Sequence, residues 1–119
     1  MKKLSRLIGG ALLEKGLKLA LAESCTGGLL SSVITGTPGS SEYFQGSVVA
    51  YANEVKVSEL GVKAATLKKH GAVSKETARE MAQGVRKAFH AGISASITGI
   101  AGPGGATARK PVGLVFIAE

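Results

Sequence analysis

Ser24, Cys25 and Thr26 stand on consecutive positions in ESCTGG, residues 23–28. Hydroxyl and thiol groups of this kind can attack a carbonyl carbon. A strand-to-helix turn at this place would present Ser24 at an exposed bend. Gly27 and Gly28 would then leave helix N-terminal amides open to an oxyanion or a phosphate. The competing reading is a helix cap, with Ser24 or Thr26 accepting from a backbone amide and the glycines permitting close packing. On this stretch alone both readings stand. Cys25 is intrinsically the stronger nucleophile, but no histidine lies near it in sequence, and a lone thiol commonly acts as a small buried filler.

YANEVK, residues 51–56, supplies a base of another type. If Asn53 caps a helix, Lys56 falls in its first turn, where the positive end of the macrodipole and burial both disfavour an ammonium charge. A neutral lysine can take a proton from a serine hydroxyl, and Tyr51 at the preceding strand end could orient or relay that proton. Otherwise Lys56 is a surface lysine over a packed tyrosine. TGIAGPGG, residues 98–105, adds the Thr98 hydroxyl and a glycine-rich loop suited to a nest of amides, or simply to a wide connection between strands. His70 and His90 fall at predicted helix C-termini, so a Ser-His-Asp arrangement has little support, and metal-ligand spacing is absent.

The elements that must position these residues alternate between strand and helix. Leu4, Leu7, Ile8, Ala11 and Leu12 recur at helical spacing up to Gly16. Residues 17–23, LKLALAE, predict a strand that delivers the chain to Ser24, and residues 29–34 a short helix closed by TGTPGS. Residues 44–51 predict a second strand, and 53–60 and 63–70 two short helices. Ser74 opens the best-defined helix, whose stripe is Ala78, Met81, Ala82, Val85 and Phe89, with Gly92 ending it. A strand at 93–98, whose apolar alternation is Ile93, Ala95 and Ile97, and another at 112–118 follow. Helices crossing between the first three strands let them run parallel, whereas the helix-free loop 99–111 makes the last antiparallel. The expected fold is therefore α/β, a single three-layer α/β/α domain around a mixed, mostly parallel sheet. Three strand ends at which an open α/β sheet places its sites carry polar or glycine-rich sequence.

At 119 residues the chain supports one domain, with 45% hydrophobic residues and 4% aromatic, so aliphatic side chains must fill the core. Fifteen Lys and Arg against eight Asp and Glu give +7, which suits anionic partners. The basic residues are scattered without interleaved aromatics, which favours a solvated surface over nucleic-acid binding. One cysteine allows no internal disulfide and fits a reducing cytoplasm. Gly9, Gly10 and Glu14 interrupt the apolar start, so no signal peptide is expected, nor is any apolar run of roughly 18 residues present.

The stretches AESCTGGLLSSVITGTPGSSEYFQGSVVAYANEVK, HGAVSKETAREMAQGVRK, SITGIAGPGG and KPVGLVFIA, in this order, resemble the C-terminal domain of the competence/damage-inducible CinA family. Stand-alone members of that family are nicotinamide-nucleotide amidohydrolases. The resemblance implies hydrolysis of nicotinamide mononucleotide to nicotinate mononucleotide and ammonia without metal or organic cofactor. It implies Ser24 as nucleophile, Lys56 as general base and Tyr51 in support. The expected substrate-binding set is Thr26, Gly27, Gly28, Asn53, Thr98, Gly99, Gly102, Gly104 and Gly105. It further implies a homo-oligomer, a dimer first of all, and a strand, a helix and a site arginine beyond Glu119, so that residues 1–119 form a domain shortened at its C-terminus. The alternative is a non-catalytic nucleotide-binding or regulatory module of the same fold.

Overall fold

The structure, a computed structural model, describes residues 2–100, 110 and 115–118. Helix α1 (Lys2–Lys15) leads to strand β1 (Leu19–Glu23), then α2 (Leu29–Thr35), a 3-10 turn (Ser40–Glu42) and β2 (Phe44–Val49). The helices α3 (Asn53–Leu60), α4 (Ala64–His70) and α5 (Lys75–Ala88) follow, and then β3 (Ile93–Gly99) and β4 (Val115–Ala118). The sheet order is β2-β1-β3-β4. Strand β1 pairs in parallel with both β2 and β3, and β4 runs antiparallel to β3.

Every residue of β1 is buried, as a strand flanked on both edges and covered on both faces requires. Its side chains alternate. Ala20 and Ala22 join Leu60, Met81 and Val85 in one apolar cluster, while Leu19 and Leu21 join Leu12, Ile34 and Tyr43 in another. The alanines let α5 lie close to the sheet. Contact between α3 and α5 is closer still: a Cβ at Gly84 would fall 1.8 Å from the Leu60 carbonyl oxygen, so only glycine lets the end of α3 rest on α5.

Three local expectations are corrected. Ala52, not Asn53, is the N-cap of α3: its backbone is extended (φ −77°, ψ 149°) and its carbonyl accepts from the amides of Val55 and Lys56, with no side-chain cap. On β3 the fully buried face is not Ile93, Ala95 and Ile97 but Ser94, Ser96 and Thr98. Ser94 and Ser96 donate their hydroxyl protons to the Ala82 and Ala78 carbonyls of α5, which satisfies these polar groups inside the core. Helix α5 begins as expected, with Ser74 Oγ accepting from the Thr77 amide at 3.1 Å. It ends at Ala88, before Gly92, because His90 takes up a left-handed conformation (φ 51°).

Candidate active site

Ser24 continues the register of β1 by one residue, its amide donating to the Ile97 carbonyl at 3.0 Å. Lys56, on the first turns of α3, is 1% exposed, and its Nζ lies 3.1 Å from Ser24 Oγ in a buried contact. The same Nζ donates to the Tyr51 carbonyl at 2.8 Å. Among the described residues no carboxylate pairs with Lys56. Burial pushes its amine below the ordinary lysine value of 10.5, with Cys25 acting the other way. The expected cause included the dipole of α3. With Ala52 as cap, Lys56 is the fourth helical residue, and burial is the force that favours its neutral form.

Side chains alternate along a strand, so Glu23 and Ser24 leave the end of β1 on opposite faces. Ser24 meets Lys56 of α3. Glu23, wholly buried, turns to α2 and collects five hydrogen bonds. Its Oε1 accepts from Thr26 Oγ1 at 2.6 Å and from the amides of Gly28 and Leu30 at 3.2 and 3.0 Å. Its Oε2 accepts from the Ser31 amide at 2.8 Å and from the Ser31 hydroxyl. Burial opposes ionisation here. The hydrogen bonds from Ser31, Thr26 and Leu30 outweigh it and hold the carboxyl below 4.5.

This carboxylate corrects the expectation that amides at the start of α2 receive an oxyanion or a phosphate, since those of Gly28, Leu30 and Ser31 are already taken. Ser24 bonds to Ile97, Gly27 to Ser24 and Leu29 to Thr26. From Ser24 to Ser31, among the described residues, only the amides of Cys25 and Thr26 have no acceptor. Gly27 and Gly28 adopt φ of 62° and 110°, so the turn itself demands glycine at both positions.

The remaining expected residues fall in several places. Tyr51 contributes its carbonyl to the pair; its side chain is 74% exposed, so the phenol is not packed beneath the lysine. Thr26 serves Glu23 with its hydroxyl, and Asn53 is exposed at the start of α3. Thr98 follows Ile97, which pairs with Glu23, and so sits beside Ser24 in register; its hydroxyl is committed as a donor to the Ala72 carbonyl at 2.9 Å. Gly99 ends β3, while Gly102, Gly104 and Gly105 lie outside the described residues. His70 Nδ1 stands 3.8 Å from Glu76 Oε2. Glu23 is the site residue that sequence reasoning missed. Its signal was an acidic residue closing the apolar strand LALAE, where a charge must find partners.

Among the described residues no group of three or more His, Cys, Asp or Glu could hold a metal ion, and no helix is long and apolar enough to cross a membrane. Residues 1–119 match the family model of the CinA C-terminal domain. A CinA-like protein of Syntrophomonas wolfei is 57% identical over 111 residues, covering 93% of this chain and 27% of the relative. The chain thus spans about a quarter of the length of the curated relatives it matches. Among solved structures, the competence/damage inducible protein CihA from Agrobacterium tumefaciens is 42% identical with a TM-score of 0.91, covering 98% of this chain and 70% of that one. The competence damage-inducible protein A from Klebsiella pneumoniae is 34% identical with a TM-score of 0.94, covering 98% and 72%.

Proposed function

The chain belongs to the CinA C-terminal domain family, and from that premise we propose that it is an amidohydrolase acting on nicotinamide mononucleotide through a serine acyl-enzyme. The observation that carries this reading is the buried contact of 3.1 Å between Lys56 Nζ and Ser24 Oγ, with the amine disposed by burial toward its neutral form. A neutral amine can donate to the Tyr51 carbonyl and still offer its lone pair to the serine proton. Ser24 Oγ then adds to the carboxamide carbon as Lys56 takes the proton. The amides of Cys25 and Thr26, without acceptors of their own, are the donors available for the resulting oxyanion. Such donors are commonly worth about 3–4 kcal/mol in the transition state.

Collapse of the adduct expels ammonia, which receives the proton from Lys56. Water, activated by the same amine, adds to the ester and releases the carboxylate and the free serine. No step calls on a metal or an organic cofactor. Apolar clusters on the two sheet faces support a three-layer α/β/α reading, with the dyad at the strand ends. The reading keeps the expectation of a homo-oligomer, supported by Leu4, Leu7 and Leu13 standing exposed on α1, and of a cytoplasmic setting, supported by the single cysteine.

The test is ammonia release on incubation with nicotinamide mononucleotide. Release by the wild-type chain and its loss in Ser24→Ala support the proposal; undiminished release in Ser24→Ala overturns it. Saturable binding of the nucleotide without release would select the non-catalytic nucleotide-binding module instead.

A further inference from the structure

We infer that Glu23 is a positioning residue for the nucleophile: its carboxylate, wholly buried at the end of β1, gathers the turn after Ser24 and the start of α2 onto one point and thereby fixes Ser24 Oγ against Lys56. The inference rests on Ser24 being the nucleophile, and it concerns a residue whose side-chain hydrogen bonds all go to Thr26, Gly28, Leu30 and Ser31 and none to the amine.

Three features distinguish this carboxylate from an ordinary helix cap. The first is direction: a cap residue accepts from amides two or three positions ahead of it, whereas Glu23 reaches Leu30 and Ser31, seven and eight positions on, and so spans the whole turn. The second is place. Helix α2 has only seven residues and a glycine at its cap with no side-chain bond; its Leu29 amide goes to the Thr26 carbonyl, and the next two, of Leu30 and Ser31, are held by Glu23. The third is geometry, because Glu23 and Ser24 share one peptide at the strand end. Rotation that relaxed the Glu23 carboxylate from its donors would turn Ser24 away from Lys56, since strand neighbours project oppositely from a common backbone.

Occupation of these amides has a further consequence for the site. A bound anion would have to displace a carboxylate held by five hydrogen bonds to reach the N-terminus of α2. The geometry therefore reserves the Cys25 and Thr26 amides for the reaction and turns a phosphate group elsewhere.

The experiment compares full-length Glu23→Gln, Glu23→Asp and the double variant Thr26→Val with Ser31→Ala against wild type, each well below its own melting midpoint. The readouts are the rate of Ser24 labelling by a fluorophosphonate, located by mass spectrometry, and kcat and KM for nicotinamide mononucleotide. Displacement of a reacting group by about 1 Å can cost roughly 10²-fold, and a loss of that order in labelling and in kcat, with KM held, is expected for Glu23→Gln. The double variant, which keeps the carboxylate and loses two hydroxyl donors, should fall between it and wild type, and Glu23→Asp should restore part of the labelling. Folded Glu23→Gln labelling at the wild-type rate would overturn the inference. If Glu23→Gln does not fold, wild-type labelling in the double variant overturns it equally. Labelling needs no nucleotide, so a wild type that labels at Ser24 yet releases no ammonia defeats the proposed substrate and leaves the Glu23 comparison readable.

Discussion

Glu23 and Lys56 are both buried, both converge on the turn at Ser24, and both have pKa values below the ordinary ones, yet the two shifts have opposite chemical meanings. Burial opposes the charge on Glu23, and hydrogen-bond donors on Ser31, Thr26 and Leu30 overcome it, so the carboxylate stays ionised and inert. Burial acts on Lys56 without an opposing carboxylate among the described residues, so its neutral form is favoured. One side of the strand end is saturated with partners. The other is left deliberately short of them, and a lone pair without a proton is what general-base chemistry needs. Direction of a shift alone would have grouped these residues; the causes separate them.

The strongest way to break this comparison is to remove the amine. Lys56→Met should lower ammonia release by roughly 10³-fold, the middle of the range for a positioned general base. The wild-type rate should rise with pH through the amine's depressed pKa, because the deprotonated form is the active one, and that rise should vanish in the variant. Stability should move the other way. Below 10.5 the unfolded chain binds a proton at Lys56 that the folded chain resists, so wild-type stability rises with pH between the folded value and 10.5. Thermal melts should therefore show Lys56→Met more stable than wild type at neutral pH, with the advantage shrinking as pH approaches 10.5. A variant that keeps its activity, or loses stability at neutral pH, contradicts the account of a buried amine.

The carboxylate side should respond to acid. Glu23 has its folded pKa below the ordinary 4.5, so its contribution is present above that value and lost as pH falls through the folded one. A loss of stability is therefore expected across this window in wild type. Denaturant midpoints measured down the acid range should fall more steeply for wild type than for Glu23→Gln, which has no proton to gain there. Parallel curves would show that the five hydrogen bonds do not favour the ionised form.

How much of this was legible beforehand follows the range of the interactions. Strand and helix order, the Ser74 cap and the residue types of the pair were carried by local pattern, which β1, α5 and the lysine obey. That Lys56 meets Ser24 is a contact over 32 positions, created by the sheet order and by Gly84 admitting α3 onto α5, and no local spacing encodes it. Pattern failed where tertiary acceptors changed the rule. Ser94 and Ser96 turned inward because α5 offers carbonyls, and Ile93 and Ala95 took the less buried face. The one-residue error at Asn53 arose because an extended Ala52 supplies the needed carbonyl without a side-chain cap. Glu23 was passed over because a strand's last residue reads as the edge of an apolar run, although a charge at that place demands donors.

The smallest expected effect concerns Tyr51, where residue type and observed contact diverge. Its phenol is largely exposed, while its carbonyl holds Lys56 at 2.8 Å. Tyr51→Phe keeps that carbonyl and the burial of the amine, so the force that lowers the lysine pKa is unchanged. The midpoint of the pH–rate curve should then stay within about half a unit of wild type, a difference worth roughly 0.7 kcal/mol. Any change in KM would report on the mouth of the site, where the ring stands free to meet a ligand. A midpoint displaced by a full unit or more would mean that the phenol acts on the amine, and Tyr51 would join Lys56 in the proton transfer itself.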